Sequence, residues 1–120
     1  MRLWRPVGPA ELALIEASGW KRFPPRLPEQ PIFYPVLNFE YAEQIARDWN
    51  SKGIADRHEG HVVSFDVADA MATRYPARTA GAAMHRELWV PADELDTFND
   101  AIETSIELVA SYRHGSRVED

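Results

Sequence analysis

The chain has 120 residues, 45% of them hydrophobic and 27% charged, which is normal globular composition and enough to bury one core. A net charge of −6, with thirteen scattered lysines and arginines, lacks the clustered positive face that nucleic acid requires. There is no cysteine, which excludes disulfides and thiol catalysis, and no apolar run approaches the length of a membrane span. The first residues lack the apolar core of a signal peptide, so the expected location is the cytoplasm.

Arg2 to Val7 alternates and predicts a first strand, with Leu3 and Arg5 on one face and Trp4 on the other. Gly8-Pro9 opens a helix, with Pro9 at its first position and Glu11 in its first turn. Leu12, Leu14 and Ile15 give that helix an apolar stripe, and Gly19 stops it. Five prolines then fall between Arg22 and Val36. Each fixes φ and restricts the residue before it, so Phe23 to Pro31 is expected to be extended, stiff and poor in backbone donors. Ile32 to Val36 is the next strand, and Pro35 places it at an edge or a bulge.

Asn38 is a good N-cap for a second helix, in which Tyr41, Ala42, Ile45, Ala46 and Trp49 repeat at helical spacing. Asn50 to Gly53 ends it. His61 to Val67 alternates as a strand, with Val63, Phe65 and Val67 on one side. Ala68 to Tyr75 reads as a short helix or turn, and Ala77 to Met84 as a small, irregular stretch. Glu87 to Val90 is a compact strand, and Pro91 starts a helix with Asp93 and Glu94 in its first turn. Ile106, Leu108 and Ala110 alternate with Glu107, Val109 and Ser111, which predicts a break near Ile102 and a last strand to Tyr112. The result is a single compact α+β domain over residues 1–113, with 114–120 as a frayed tail.

His58-Glu59-Gly60-His61 is one residue short of the H-E-x-x-H metal motif. Two ligands in a turn lack a third, so the stretch reads as a polar turn and no metal site is expected. Asp93, Glu94, Asp96 and Asp100 spread over the solvent face of a helix, where acids near its start suit the dipole. Phe33, Tyr41 and the tryptophans are core candidates. Tyr34 follows Phe33 in an alternating strand, so with Phe33 in the core Tyr34 faces a cleft or solvent. Arg5 and Glu87 stand among apolar neighbours on strands. Charges are seldom buried without a partner, so these two either face a common site or pair with each other. His85 precedes Glu87 by two residues, which puts both on one strand face.

The stretches "LWRPVGPAEL", "FPPRLPEQPIFYPVLNFEYAEQIARDWN" and "HRELWVPADEL" resemble a family of small uncharacterised bacterial proteins described as ADP-ribosylation/crystallin. The resemblance covers almost the whole chain except the tail. The order of elements also resembles the ADP-ribosyltransferase fold, which carries a basic residue on its first strand, an aromatic or hydroxyl residue on its second and a glutamate on a later one. That resemblance implies a mixed sheet with short helices and NAD as the substrate. It implies that Arg5 holds the dinucleotide, Tyr34 packs on nicotinamide and Glu87 bonds the nicotinamide ribose as the catalytic residue; His85, expected on the same strand face as Glu87, is a further cofactor-binding candidate. Two other functions fit the same fold. One is a non-catalytic module that senses a nucleotide or binds a protein partner, the other a NAD-degrading toxin.

Overall fold

A computed structural model of the protein describes residues 1–82 and 85–118. Its elements run β1 (Arg2–Val7), α1 (Pro9–Ala17), β2 (Ile32–Phe33), α2 (Phe39–Asp48), β3 (Glu59–Asp66), α3 (Asp69–Ala72), β4 (Arg78–Thr79), β5 (Arg86–Glu87), β6 (Val90–Pro91), α4 (Leu95–Asp100), β7 (Glu107–Arg113) and β8 (Ser116–Arg117). Short 3-10 turns at Asn50–Lys52 and Ala92–Glu94 join them. The expected stretch Ala77 to Met84 forms β4 at Arg78–Thr79, and its last two positions lie outside the described residues.

Strand β3 lies inside a four-stranded sheet of order β1-β3-β7-β8. Val62 to Phe65 are buried without interruption, because both faces of the sheet are covered. On one face Leu3, Val7, Val63 and Phe65 meet Ile15 of α1, Phe23, Phe33 and Phe98. On the other Val62, Ala110 and Tyr112 meet Tyr41, Ala42 and Ala46 of α2. The α+β domain is therefore built on antiparallel pairing, where the family resemblance implies a mixed sheet. Every strand pair among the described residues is antiparallel.

Local signals account for the two long helices. Pro9 starts α1, and Gly19 leaves it at φ 79°. The Asn38 side chain caps α2 by accepting the Tyr41 N–H at 2.7 Å. Helix α2 then crosses β3 closely at Gly60, where a Cβ would stand 2.2 Å from the Ala46 carbonyl oxygen. Only glycine admits that approach.

Strand β7 departs from simple alternation. Val62 faces Ala110 and Val63 faces Leu108, so Val109 is an extra residue and the ladder bulges there. The bulge reverses the phase: Ile106 joins the core beside Phe98, Ala110 joins the core under α2, and Leu108 is 45% exposed. The single buried face expected for Ile106, Leu108 and Ala110 does not form. The frayed tail expected over 114–120 is also replaced as far as Arg117, and its last two positions lie outside the described residues. His114 and Gly115 turn at φ 50° and 83°, and β8 pairs back on Tyr112 and Arg113. Two positive φ angles in a two-residue loop match the twist of a tight hairpin.

The proline-rich segment carries no regular secondary structure, and it is anchored at its start. Phe23 packs its ring 4.9 Å from both Phe33 and Phe65. Asn99 of α4 holds the Phe23 backbone from both sides, accepting its N–H at 3.0 Å and donating to its carbonyl at 3.0 Å. All four groups are buried. Asn99→Ala should strand two buried backbone groups and lower stability by about 2–3 kcal/mol. Urea unfolding measures the loss, and a change below about 0.5 kcal/mol would show that the segment is held by its rings alone.

Candidate functional site

The site forms where the chain leaves the proline segment. Val36 exchanges both backbone hydrogen bonds with Trp4 of β1, at 2.8 and 3.0 Å. Val36 is also bridged to Glu87 of β5, where the Leu88 N–H reaches the Pro35 carbonyl at 2.9 Å. Residues 35–37 thus act as a short spacer strand between β1 and β5, and they bring Arg5 and Glu87 to one side of the molecule. Pro35 fits there because it only needs to accept.

Arg5 shares its face of β1 with Leu3 and Val7 and is 7% exposed. Pro9 begins α1 close enough for Glu11 to turn back onto it. Arg5 donates to Glu11 through Nε at 2.6 Å and Nη2 at 2.9 Å, and through Nη1 to the Tyr34 carbonyl at 3.3 Å. Its guanidinium also lies 4.5 Å above the Phe33 ring. The forked pair neutralises the arginine. The alternative of an Arg5–Glu87 ion pair is not formed; the partner of Arg5 is Glu11.

Glu87 is 9% exposed and has two neutral donors. Tyr41 Oη–H reaches Oε2 at 3.0 Å, and Trp89 Nε1–H reaches Oε1 at 2.8 Å. One bond to each oxygen fixes the plane of the carboxylate and leaves lone pairs on both. Burial, helped by the bond to Glu87, pushes the Tyr41 phenol up to about 12, so it remains a donor at neutral pH. Tyr34 meets Trp89 edge-on, with ring centroids 5.9 Å apart, while Phe33 takes the core.

Arg5, Tyr34 and Glu87 line one pocket of about 450 Å³, with Trp89, Arg26 and Trp49 among its other walls. That volume lies in the range of small-molecule sites. His85 is not among the lining residues. It stacks on Tyr41, with centroids 4.5 Å apart, and its Nε2 contacts Gln44 Oε1 at 2.8 Å. Strand β5 begins only at Arg86, so the alternation that would aim His85 and Glu87 together does not extend to His85.

Four residues of the arrangement are not among the site residues expected from the sequence: Glu11, Arg26, Tyr41 as a polar partner and Trp89. The x-Glu-x-Trp spacing of Glu87 and Trp89 is a usable signal, since two residues apart on extended chain share a side. Nothing in the sequence singles out Arg26.

The other candidate stretches are tied up elsewhere. Arg22 pairs with Asp100 at 2.7 Å and Asp96 at 3.4 Å, and Tyr75 donates to Glu94 at 2.8 Å, so the acidic cluster is partly paired. His58 stacks on His114, and His61 contacts Ser111 at 2.8 Å and Glu59 at 3.5 Å. Among the described residues no three His, Asp or Glu side chains are grouped to hold a metal ion, and no helix is long and apolar enough to cross a membrane.

Burial holds His61 below the ordinary histidine range, against a smaller upward pull from Glu59. The unfolded chain therefore binds a proton at this residue before the folded one does. Stability should rise with pH between the lowered folded value and the unfolded value near 6.5, and be lost as pH falls through that window. Melting temperatures across that window should show a shallower slope for His61→Gln than for the wild type. Identical slopes would remove His61 as the cause. No protein-family model, curated protein or solved structure matches this chain, and its function is read from the geometry of the pocket.

Proposed function

We propose that this pocket binds NAD and that the chain is an ADP-ribosyltransferase-like protein that cleaves the nicotinamide–ribose bond. The observation that carries the reading is the common pocket of Arg5, Tyr34 and Glu87, with the Glu87 carboxylate held by two donors. In the reaction the bond from ribose C1′ to the pyridinium nitrogen breaks, and its electron pair leaves with nicotinamide. The ribose becomes oxocarbenium-like, and a fixed carboxylate stabilises that charge as it develops. A nucleophile then bonds to C1′ and gives up its proton. The right-angled Tyr34–Trp89 pair offers an aromatic face to the nicotinamide ring. Arg5, neutralised by Glu11, shapes the wall and carries the Tyr34 backbone.

A second reading has its own observation. The first-strand arginine is already gripped by a carboxylate, so the chain also fits a nucleotide-sensing or protein-binding module that performs no chemistry. The deciding experiment titrates NAD into the wild-type protein and measures nicotinamide release in the same sample. Binding with release that depends on an added protein acceptor supports the transferase, and release without any protein acceptor supports a NAD-degrading toxin. Binding without release selects the module. Neither binding nor release at millimolar NAD removes the NAD-cleaving readings and favours a protein-binding module.

A further inference from the structure

Arg26 stands where two pockets meet. The first is that of Glu87. The second, of about 480 Å³, runs beneath Pro24, Pro25 and Leu27 to the start of α1, and shares Arg5, Pro6, Arg26 and Asn50 with the first. Of the two arginines at this junction, Arg5 is neutralised by the fork to Glu11. Arg26 donates through Nε to the Ile32 carbonyl at 3.1 Å, and among the described residues no carboxylate pairs with it. Its terminal nitrogens have no protein hydrogen bond among the described residues, and it is partly buried. Burial first, and the neighbouring Arg5 charge second, disfavour its protonated form, against smaller opposing pulls from Glu11 and Tyr34. An unpaired cation in such a place is stabilised by an anion brought to it.

The neighbouring carboxylates do not fill that role. Glu11 belongs to Arg5. Asp56 accepts from Asn50 Nδ2 at 2.9 Å and sits against Gly8, where a Cβ would lie 2.2 Å from its Oδ1, at the positive end of α1. The Asp56 bond also fixes the Asn50 amide, whose Oδ1 is then a buried acceptor without a partner among the described residues.

We propose that Arg26 is the anion-binding residue of this chain, and that it grips the diphosphate of a dinucleotide whose two halves lie in the two pockets. The identity of the half beside Glu87 rests on the NAD reading; the phosphate contact does not. Arginine suits it, since its fork meets two phosphate oxygens at once. The residue lies on the proline-rich segment, whose prolines add no competing N–H donors at Pro24 and Pro25.

The test titrates three probes: ADP-ribose, inorganic pyrophosphate and nicotinamide riboside, the last without phosphate. Wild-type affinity for ADP-ribose should fall as salt is raised. Arg26→Gln should weaken ADP-ribose and pyrophosphate by about tenfold or more and leave nicotinamide riboside within about twofold. Arg26→Lys should keep an intermediate affinity. The proposal is overturned if the wild type binds neither phosphate probe, if its binding ignores salt, or if Arg26→Gln binds ADP-ribose as the wild type does. Where Arg26→Gln does not fold, the lysine variant and the wild-type salt series decide. The NAD reading fails separately: loss of ADP-ribose binding in Arg26→Gln, without nicotinamide release by the wild type, keeps the anion site and removes the catalysis. Wild-type release with unchanged KM in Arg26→Gln does the reverse.

Discussion

Glu87→Gln should abolish nicotinamide release while NAD affinity stays within about tenfold of the wild type, or 1.4 kcal/mol. The substitution keeps the size of the side chain and removes the charge. Glu87 receives uncharged donors, Tyr41 and Trp89, so no buried cation is left behind when the carboxylate goes. A glutamine still accepts one of those bonds through its oxygen, and its amide group meets the other donor unfavourably, at about 1–2 kcal/mol. Folding should therefore survive. The transition state is affected differently, because a neutral amide offers nothing to an oxocarbenium ion. An interaction made mainly in the transition state appears as lost turnover with KM little changed. Thermal melting, NAD titration and nicotinamide release on both proteins separate the cases. A variant that melts lower yet releases nicotinamide at the wild-type rate would show that Glu87 holds the pocket together and does no chemistry.

Glu11→Ala is expected to cost about 3 kcal/mol of stability, the low end of the range for breaking a buried pair, because Glu11 retains some solvent contact. The variant leaves the guanidinium of Arg5, a residue 7% exposed in the wild type, with the Tyr34 carbonyl and the Phe33 ring as its remaining contacts. For a chain of this length that loss is a fall of roughly 10 °C in melting temperature. The double replacement Arg5→Met with Glu11→Leu should recover most of it, within about 1 kcal/mol of wild type, since an apolar pair of similar volume removes the unpaired charge. Urea unfolding of Arg5→Met, Glu11→Leu and the double variant closes the cycle, with Glu11→Ala measured beside them. If Glu11→Ala costs less than about 1 kcal/mol, the pair is solvated in solution and Arg5 is free to meet a ligand after all.

The two predictions concern residues that the sequence singles out to different degrees, and the difference has a physical basis. Arg5 and Glu87 are conspicuous because a charge among apolar strand neighbours conflicts with burial, and that conflict is local. Tyr34 is placed by alternation alone once Phe33 is assigned to the core. Glu11 is inconspicuous, because an acid in the first turn of a helix already has a sufficient role at the dipole. That it turns back to Arg5 depends on the angle at which α1 leaves β1.

Helices α1 and α2, their starts at Pro9 and Asn38 and the existence of strand β3 were determined by the sequence itself, since capping and periodicity act within a few residues, whereas the burial of both faces of β3 came from the elements packed on either side. The bulge at Val109 was not, because one extra residue is defined only against the strand it faces. The return of β8 on β7 likewise needs a partner edge. The site itself depends on Val36 standing between Trp4 and Glu87, bridges that span 32 and 51 positions of the chain. Backbone pairing at that range is chosen by which exposed edges remain after the core has closed, and so only the tertiary structure decides that Glu87 ends with Tyr41 and Trp89 and Arg5 with Glu11.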